Sequence, residues 1–530
     1  ISTMILETKD YKHFQLDNIS FDDYHQANRC LPGDTVEWTG TKCLLQKRGE
    51  HRTLVGVLEL HSKYLYGHTS RNVPIYLFHP LNTAYPPMRV GCSERDTSRN
   101  QLALVRFDNW TETIPRGNLI RLLGPVGDLE AEQEALLWLY AKPELAKLTA
   151  DMPLIKFTGR EILEGKTINI DPEGCQDIDD ILTLIPRENG WEVLITIADV
   201  AGGIEQDSPA DILACSRLQT VYIQGQAVLP MLPKEISEYG LSLIPGQKRQ
   251  GIALRCFWDG LTLTVQGFEE VVITNQQSYT YDSIYKADFP VDILKQIASY
   301  LKKEETSDSH EWIEQLMLLY NLEGAKILLQ MKAGLLRTHK PADKVKLEAM
   351  EAIHRDLRVF AFESAKYEQT GKDKVHATLG NQPYTHLSSP LRRYADLLNQ
   401  RVLKAFLTNE TVSPNQVETR LNQQQKQLKR FDRDLFFLNT ILKQTTGVLK
   451  GIVVESTDTK TKLYIPSWKR IVKTKSDRLE IGKEVDVEFY ADIRKVSWKD
   501  RIVFRITQEH DNAKDDEIYS KNNYTNDDED

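Results

Sequence analysis

Residues 170–180 read Ile170-Asp171-Pro172-Glu173-Gly174-Cys175-Gln176-Asp177-Ile178-Asp179-Asp180. Thr167-Ile168-Asn169-Ile170 enters this stretch and Ile181-Leu182-Thr183-Leu184-Ile185 leaves it, both apolar and β-branched enough to be strands. Pro172 and Gly174 force a turn between them. Asp171, Asp177, Asp179 and Asp180, at i, i+6, i+8 and i+9, then share one bend. Carboxylates crowded in a low dielectric repel one another, and some must take up protons unless a cation sits among them. A divalent cation removes the conflict, and ligands that are all oxygen select Mg²⁺, with Mn²⁺ as a substitute, over zinc. A calcium loop is excluded, because no Glu stands at its twelfth position and the Gly is misplaced. The plainer alternative is an exposed acidic turn whose aspartates accept bonds from nearby backbone amides.

A second stretch supplies cations: Ser388-Ser389-Pro390-Leu391-Arg392-Arg393-Tyr394-Ala395-Asp396. Ser389 as N-cap and Pro390 at the first helical position predict a helix over 390–407. Arg392 and Arg393 would then stand in its first turn, where the helix dipole disfavours cations by about 0.3–1 kcal/mol each. A phosphate would offset that cost. The alternative is a surface pair bridging to Asp396 or to solvent. Elsewhere the patterning predicts strands across 165–275 and helices over 128–148, 311–337, 343–368 and about 414–444. Short strands over 28–125 suit a small β-barrel, and the strands from Gly447 to about Thr507 suit a second.

The 530 residues are 41% hydrophobic and 27% charged, which excludes collagen-like and wholly disordered chains. No run approaches the roughly 18 apolar residues of a membrane span. Cys30, Cys43, Cys92, Cys175, Cys215 and Cys256 form no CxxC pair, so a disulfide framework or thiolate zinc site is not expected. A reducing intracellular compartment, the cytoplasm, fits; the start at Ile1 leaves a removed leader and an organelle open. The net charge of −9 is mostly terminal: residues 509–530 carry −7 and read as a disordered acidic tail, whereas 446–508 carry +5. A nucleic-acid partner therefore stays open. In the first barrel Tyr64, Tyr66, His68, Tyr76, Phe78 and Tyr85 interleave with Lys63, Arg71 and Arg89, a mixture that can stack bases or simply fill a core.

Carboxylates for metal and arginines for phosphate point to phosphodiester chemistry, and the 171–180 stretch resembles the signature of the RNB exoribonucleases (ribonuclease II, ribonuclease R and Dis3-like enzymes). Three further blocks agree in order: Ile197-Ala198-Asp199-Val200; Thr220-Val221-Tyr222 with Pro230-Met231-Leu232-Pro233; and Ser389 to Tyr394. The resemblance covers about residues 100–445. It implies a multidomain α+β fold: a cold-shock or OB-like region over 1–125, an RNB catalytic α/β domain over 126–445, and an OB-type RNA-binding barrel over 446–508 before the tail at 509–530. It also implies an Mg²⁺-dependent hydrolase releasing 5′-mononucleotides from the 3′ end of single-stranded RNA, with no membrane partner. By motif position, Asp171, Asp177, Asp179 and Asp180 resemble the metal ligands. Asp177, Asp179 and Arg392 resemble the catalytic set, with Asp179 most critical. Tyr222, Arg392, Arg393 and Glu314 match RNA-binding positions. The span from Tyr281 to Glu314 is shorter than family members usually carry and lacks a hairpin that commonly holds a second stacking aromatic. No endonuclease domain is expected. The alternative is a catalytically silent RNA-binding protein of the same fold.

Overall fold

The computed structural model describes residues 3–50, 53–141, 155–371 and 374–510; the 511–530 stretch, most of the expected acidic tail, lies outside them. The chain divides into two compact units: Ile1–Pro143 with Ala349–Val359 and Gln427–Asp530, and Glu144–Glu348 with Phe360–Lys426.

In the first unit, β1 (Leu54–Leu58), β2 (Ile75–Pro80), β3 (Met88–Gly91), β4 (Gln101–Asn109) and β5 (Arg116–Pro125) close into a barrel, in the order β4-β5-β3-β2-β1. Alternation turns Leu58, Phe78, Met88, Val90, Ala103 and Val105 into its core. The barrel begins at Leu54, not at residue 28. Thr35–Trp38, after the Pro32-Gly33-Asp34 turn, pairs instead with Met4–Ile5 and Cys43–Lys47, over a separate core that includes Leu6, Phe14 and Leu16. Helix α1 (Leu129–Leu136) follows, capped by Asp128, whose carboxylate accepts the Ala131 N–H at 3.0 Å. The expected helix over 128–148 widens into a π-type turn to Ala141, and 142–148 lie outside the described residues.

The second unit is built on a seven-stranded sheet: β6 (Arg160–Glu161), β7 (Lys166–Ile170), β8 (Asp180–Arg187), β9 (Gly190–Ala198), β10 (Lys248–Trp258), β11 (Leu263–Thr274) and β12 (Gln277–Tyr279), in the order β6-β11-β10-β9-β8-β7-β12. β7 to β11 pair antiparallel, and the two short edge strands β6 and β12 pair parallel. Both faces are buried, which is why β8 and β9 are apolar almost throughout. Val193, Ile195 and Ile197 face one core with α3 (Val291–Lys302) and α4 (Ser309–Met331). Leu194 and Ala198 face the other, with α2 (Pro209–Arg217) and α5 (Tyr394–Thr408).

Three helix expectations are corrected here. The helix from Ser309 stops at Met331, because Lys332 turns left-handed (φ 52°) and Gly334 follows at φ 87°. Residues Leu335–Thr338 instead form strand β13, paired with β14 (Lys366–Gln369), so the predicted helix over 343–368 is only Lys344–Ile353 with a 3₁₀ turn after it. The helix expected from Pro390 begins at Tyr394. Arg393 is extended (φ −132°, ψ 124°) and bridges Gln219, while the Thr220 and Tyr394 N–H groups bond the Arg392 and Leu218 carbonyls at 2.9 and 2.8 Å.

α6 (Glu418–Lys443) leads into the last strands of the first unit: β15 (Thr446–Ser456), β16 (Lys460–Ile465), β17 (Arg470–Lys475), β18 (Glu484–Ala491) and β19 (Ile502–His510), in the order β17-β16-β15-β18-β19. The Thr474 hydroxyl donates to the Phe504 carbonyl at 2.6 Å, drawing the β17 and β19 edges together, so the expected second barrel is nearly closed. Among the described residues no helix is long and apolar enough to cross a membrane.

Candidate active site

The aspartate turn joins β7 to β8, so the sheet carries both its ends. At the start, the Asp171 N–H bonds the Tyr279 carbonyl of β12 at 3.0 Å. Gly174 supplies the positive φ, 79°, that the bend requires. At the end, the Asp179 carbonyl accepts the Ala198 N–H at 2.8 Å. The middle is held from outside the sheet. Ser242, fully buried, accepts the Ile178 N–H at 2.8 Å and donates to the Gln176 carbonyl at 2.6 Å, while the Leu243 N–H bonds the Ile178 carbonyl at 3.0 Å. This clamp grips the residues either side of Asp177. Replacing Ser242 by Ala strands the buried Ile178 N–H and frees the Gln176 carbonyl, and is expected to destabilise the second unit by about 1–3 kcal/mol. Urea unfolding measures it, and an unchanged midpoint would show the clamp to be idle.

Asp179 is 4% exposed, and its two oxygens are already engaged. Oδ1 accepts the Leu391 N–H at 2.9 Å and Oδ2 accepts Arg392 Nε at 3.1 Å, so the Ser389–Arg392 turn wraps this carboxylate. Arg392 also donates to Ser389 Oγ at 3.0 Å. Burial nonetheless pushes Asp179 up to about 7, against the pull of Arg392 and the Leu391 N–H, with Asp177 adding repulsion. Asp171 is raised by burial, although the Asn169 amide donates to it at 2.8 Å and Arg392 is near. Asp180 is raised well above the ordinary range by burial and then by Asp171 and Asp179. Asp177 accepts the Tyr222 hydroxyl, and burial, with that bond behind it, pushes the phenol up.

The structure therefore gathers the four aspartates, Arg392 and Tyr222 at one place. It parts the arginines: Arg393 turns to Asp396 at 2.8 Å, so one of the two makes the internal bridge that the sequence left open. Glu314 lies on the exposed side of α4, and no described side chain is bonded to it. Two further rings border the cluster. Tyr281 is raised by burial and by Asp171 and Asp180, and it stacks on His310 with centroids 3.9 Å apart and planes at 11°. Sequence reading passed over both, and also Asn169 and Ser242. For Asn169 the alternation of β7 carried a signal; for Ser242, 64 residues from Ile178, nothing local did.

Donor chemistry decides whether a divalent cation fits. Among the described residues no hydrogen-bond donor reaches the Asp180 carboxylate, which leaves it desolvated against two like charges. Asp171, Asp177 and Asp180 thus offer hard, anionic oxygen donors of the kind Mg²⁺ or Mn²⁺ takes. Among the described residues no three His, Cys, Asp or Glu side chains are already spaced as an ion cage. The recess fits by donor type and is open in geometry.

An RNB domain model matches residues 160–287 and 286–409, and a Dis3-like cold-shock domain 2 model matches 75–141. The chain is 25% identical over 488 residues to the exosome complex exonuclease dis3 of Schizosaccharomyces pombe, covering 70% of this chain and 50% of that protein. It spans about half the length of the curated relatives it matches. Its fold is similar to Mycoplasma genitalium RNase R, solved with ribose-methylated single-stranded RNA (TM-score 0.73, 16% identity, 96% of this chain and 100% of that one). It is also similar to yeast Ssd1, a pseudonuclease (TM-score 0.59, 16% identity, 92% and 81%). The RNB match takes in both turns that meet at Asp179, and by it residues 160–409 of this chain are an RNB domain.

Proposed function

We propose that this chain is a divalent-metal-dependent exoribonuclease that hydrolyses single-stranded RNA from its 3′ end to 5′-mononucleotides. The observation that carries this reading is the convergence of three desolvated aspartates, Asp171, Asp179 and Asp180, on one recess with Asp177 beside them and Arg392 seated on Asp179. Bound Mg²⁺ or Mn²⁺, held by Asp171, Asp177 and Asp180, would supply Lewis-acid activation of water and of the phosphoryl oxygens. The chain's own groups do the rest. Arg392, its side chain 45% exposed, keeps N–H groups without a described acceptor and can meet a phosphate whose charge grows in the transition state. The Tyr222 hydroxyl, tied to Asp177, fixes its ring beside the recess, where stacking a terminal base of any sequence is worth about 1–3 kcal/mol. All six cysteines are free thiols, which supports a reducing, intracellular setting.

A second reading, an RNA binder without catalysis, draws on Arg392 already neutralising Asp179, on the absence of a preformed cage among the described residues, and on the likeness to Ssd1. One experiment separates the two. Single-stranded RNA labelled at its 5′ end is incubated with Mg²⁺ or with EDTA. A ladder shortening from the 3′ end with Mg²⁺ alone is expected. Binding without shortening would establish the second reading.

A further inference from the structure

Between Lys460 and Lys475 the chain has six cations, Lys460, Lys462, Lys469, Arg470, Lys473 and Lys475, and no acid. The β16–β17 register sets Lys460 opposite Lys475 and Lys462 opposite Lys473. Directly opposed residues share a face of a sheet, and so do positions two apart. Four ammonium groups therefore stand in a two-by-two array, on the side away from buried Thr461, Leu463, Val472 and Thr474. Like charges set directly opposite one another across two strands repel and destabilise the pairing. Lys462 has a partner in Glu455 at 2.8 Å; among the described residues no carboxylate reaches Lys460, Lys473 or Lys475. An array with this repulsion and so little counter-charge is complementary to a polyanion.

One polyanion is covalently attached. Residues 511–530 hold eight acids, Asp511, Asp515, Asp516, Glu517, Asp527, Asp528, Glu529 and Asp530, against Lys514 and Lys521. They follow His510, the last residue of β19, and β19 meets β17 where Thr474 bonds Phe504. Phe504 to His510 is about 20 Å of strand, and twenty further residues can reach at most about 70 Å. Attachment at that range gives an effective concentration in the millimolar region, which a free polyanion must exceed.

We propose that residues 511–530 dock on the lysine array of the β16–β17 hairpin, as an electrostatic clasp that a phosphodiester backbone must displace. The docking stands apart from the proposed activity; the competition with RNA rests on that reading. Zero-length carbodiimide crosslinking of the full chain at low salt, mapped by mass spectrometry, tests the docking without RNA. Links from carboxylates of 511–530 to Lys460, Lys462, Lys473 and Lys475 are expected. They should fade at about 0.5 M salt, where screening is short-ranged. Their absence, or links spread over lysines elsewhere, overturns the proposal. The exposed quadruple variant Lys460→Gln, Lys462→Gln, Lys473→Gln, Lys475→Gln should fold and show none. Binding of a uridine 20-mer tests the competition. Deleting 511–530 should tighten it about tenfold at low salt in the parent chain and leave the quadruple variant unchanged. If the quadruple variant weakens RNA binding equally with and without 511–530, and no tail links form, the array is an RNA surface and the clasp does not exist.

Discussion

Asp179→Asn is expected to lower turnover on the order of 10³-fold and to leave the metal-free protein more stable above pH 7 than the parent. The sign follows from the protonation states. Below the ordinary aspartate range, 3.8, both folded and unfolded chains hold the Asp179 proton. From there to about 7 the folded chain keeps a proton that the unfolded chain has released, so stability falls as pH rises through that window. The fall is about 4 kcal/mol at most. Above about 7 the loss is complete. Asp171 and Asp180, both raised, add to the slope in the same direction. An asparagine keeps an oxygen for the Leu391 N–H and removes the charge, while the half-exposed Arg392 regains water. Urea unfolding at pH 5 and pH 8 in EDTA measures the effect: the parent midpoint drops at pH 8, and the variant's drops less. Mg²⁺ should raise the midpoints of both proteins, because Asp171, Asp177 and Asp180 remain in the variant. An equal slope in both proteins would show that Asp179 is not the strained carboxylate, and full activity in the variant would sink the catalytic assignment.

What could be read before the structure was what lies close in sequence. The aspartate turn was legible because four like charges and two turn-forming residues fall within ten positions, so their conflict is local. The strands β8 and β9 were legible because burial on both faces leaves continuous apolar runs. The meeting of Arg392 with Asp179, 213 residues away, has no spacing signal and came only from the family resemblance. Ser389-Pro390 has the local chemistry of a helix start, yet Arg393 takes up bridging to Gln219, and tertiary pairing overrides the cap. The overrun past Met331 is a different kind of error: Gly334 marked the break, and the apolar Leu335-Leu336 beyond it fits a strand as well as a helix. Arg393 follows from the expected helix start and Glu314 from motif position, and the structure turns one toward Asp396 and the other to solvent.

Within the first unit, Arg501→Met or Glu132→Gln is expected to cost about 3–5 kcal/mol of stability, the penalty of leaving one buried charge or its donors unmatched. Arg501 stands just before β19 and Glu132 in the first turn of α1, and their side chains are 0% and 1% exposed. The pair is bidentate, at 2.7 and 3.0 Å. Its remaining needs are met: Arg501 Nε donates to the Lys495 carbonyl at 2.7 Å, Glu132 accepts the Gly127 N–H at 3.0 Å, and the Trp498 ring lies 4.8 Å from the guanidinium carbon. The helix dipole also favours an acid at that position. Two charges this dry attract each other strongly but have lost their hydration, so the pair itself adds little net stability. Most of the cost of a single change should therefore vanish in the double variant Glu132→Leu, Arg501→Met, which removes both charges and leaves apolar volume. Denaturant unfolding of the two single variants and the double one reads this directly. Single effects below about 1 kcal/mol would mean that water reaches the pair. A double variant as weak as the worse single one would mean that the ion pair, rather than the packing around it, joins the helix after the first barrel to the C-terminal sheet.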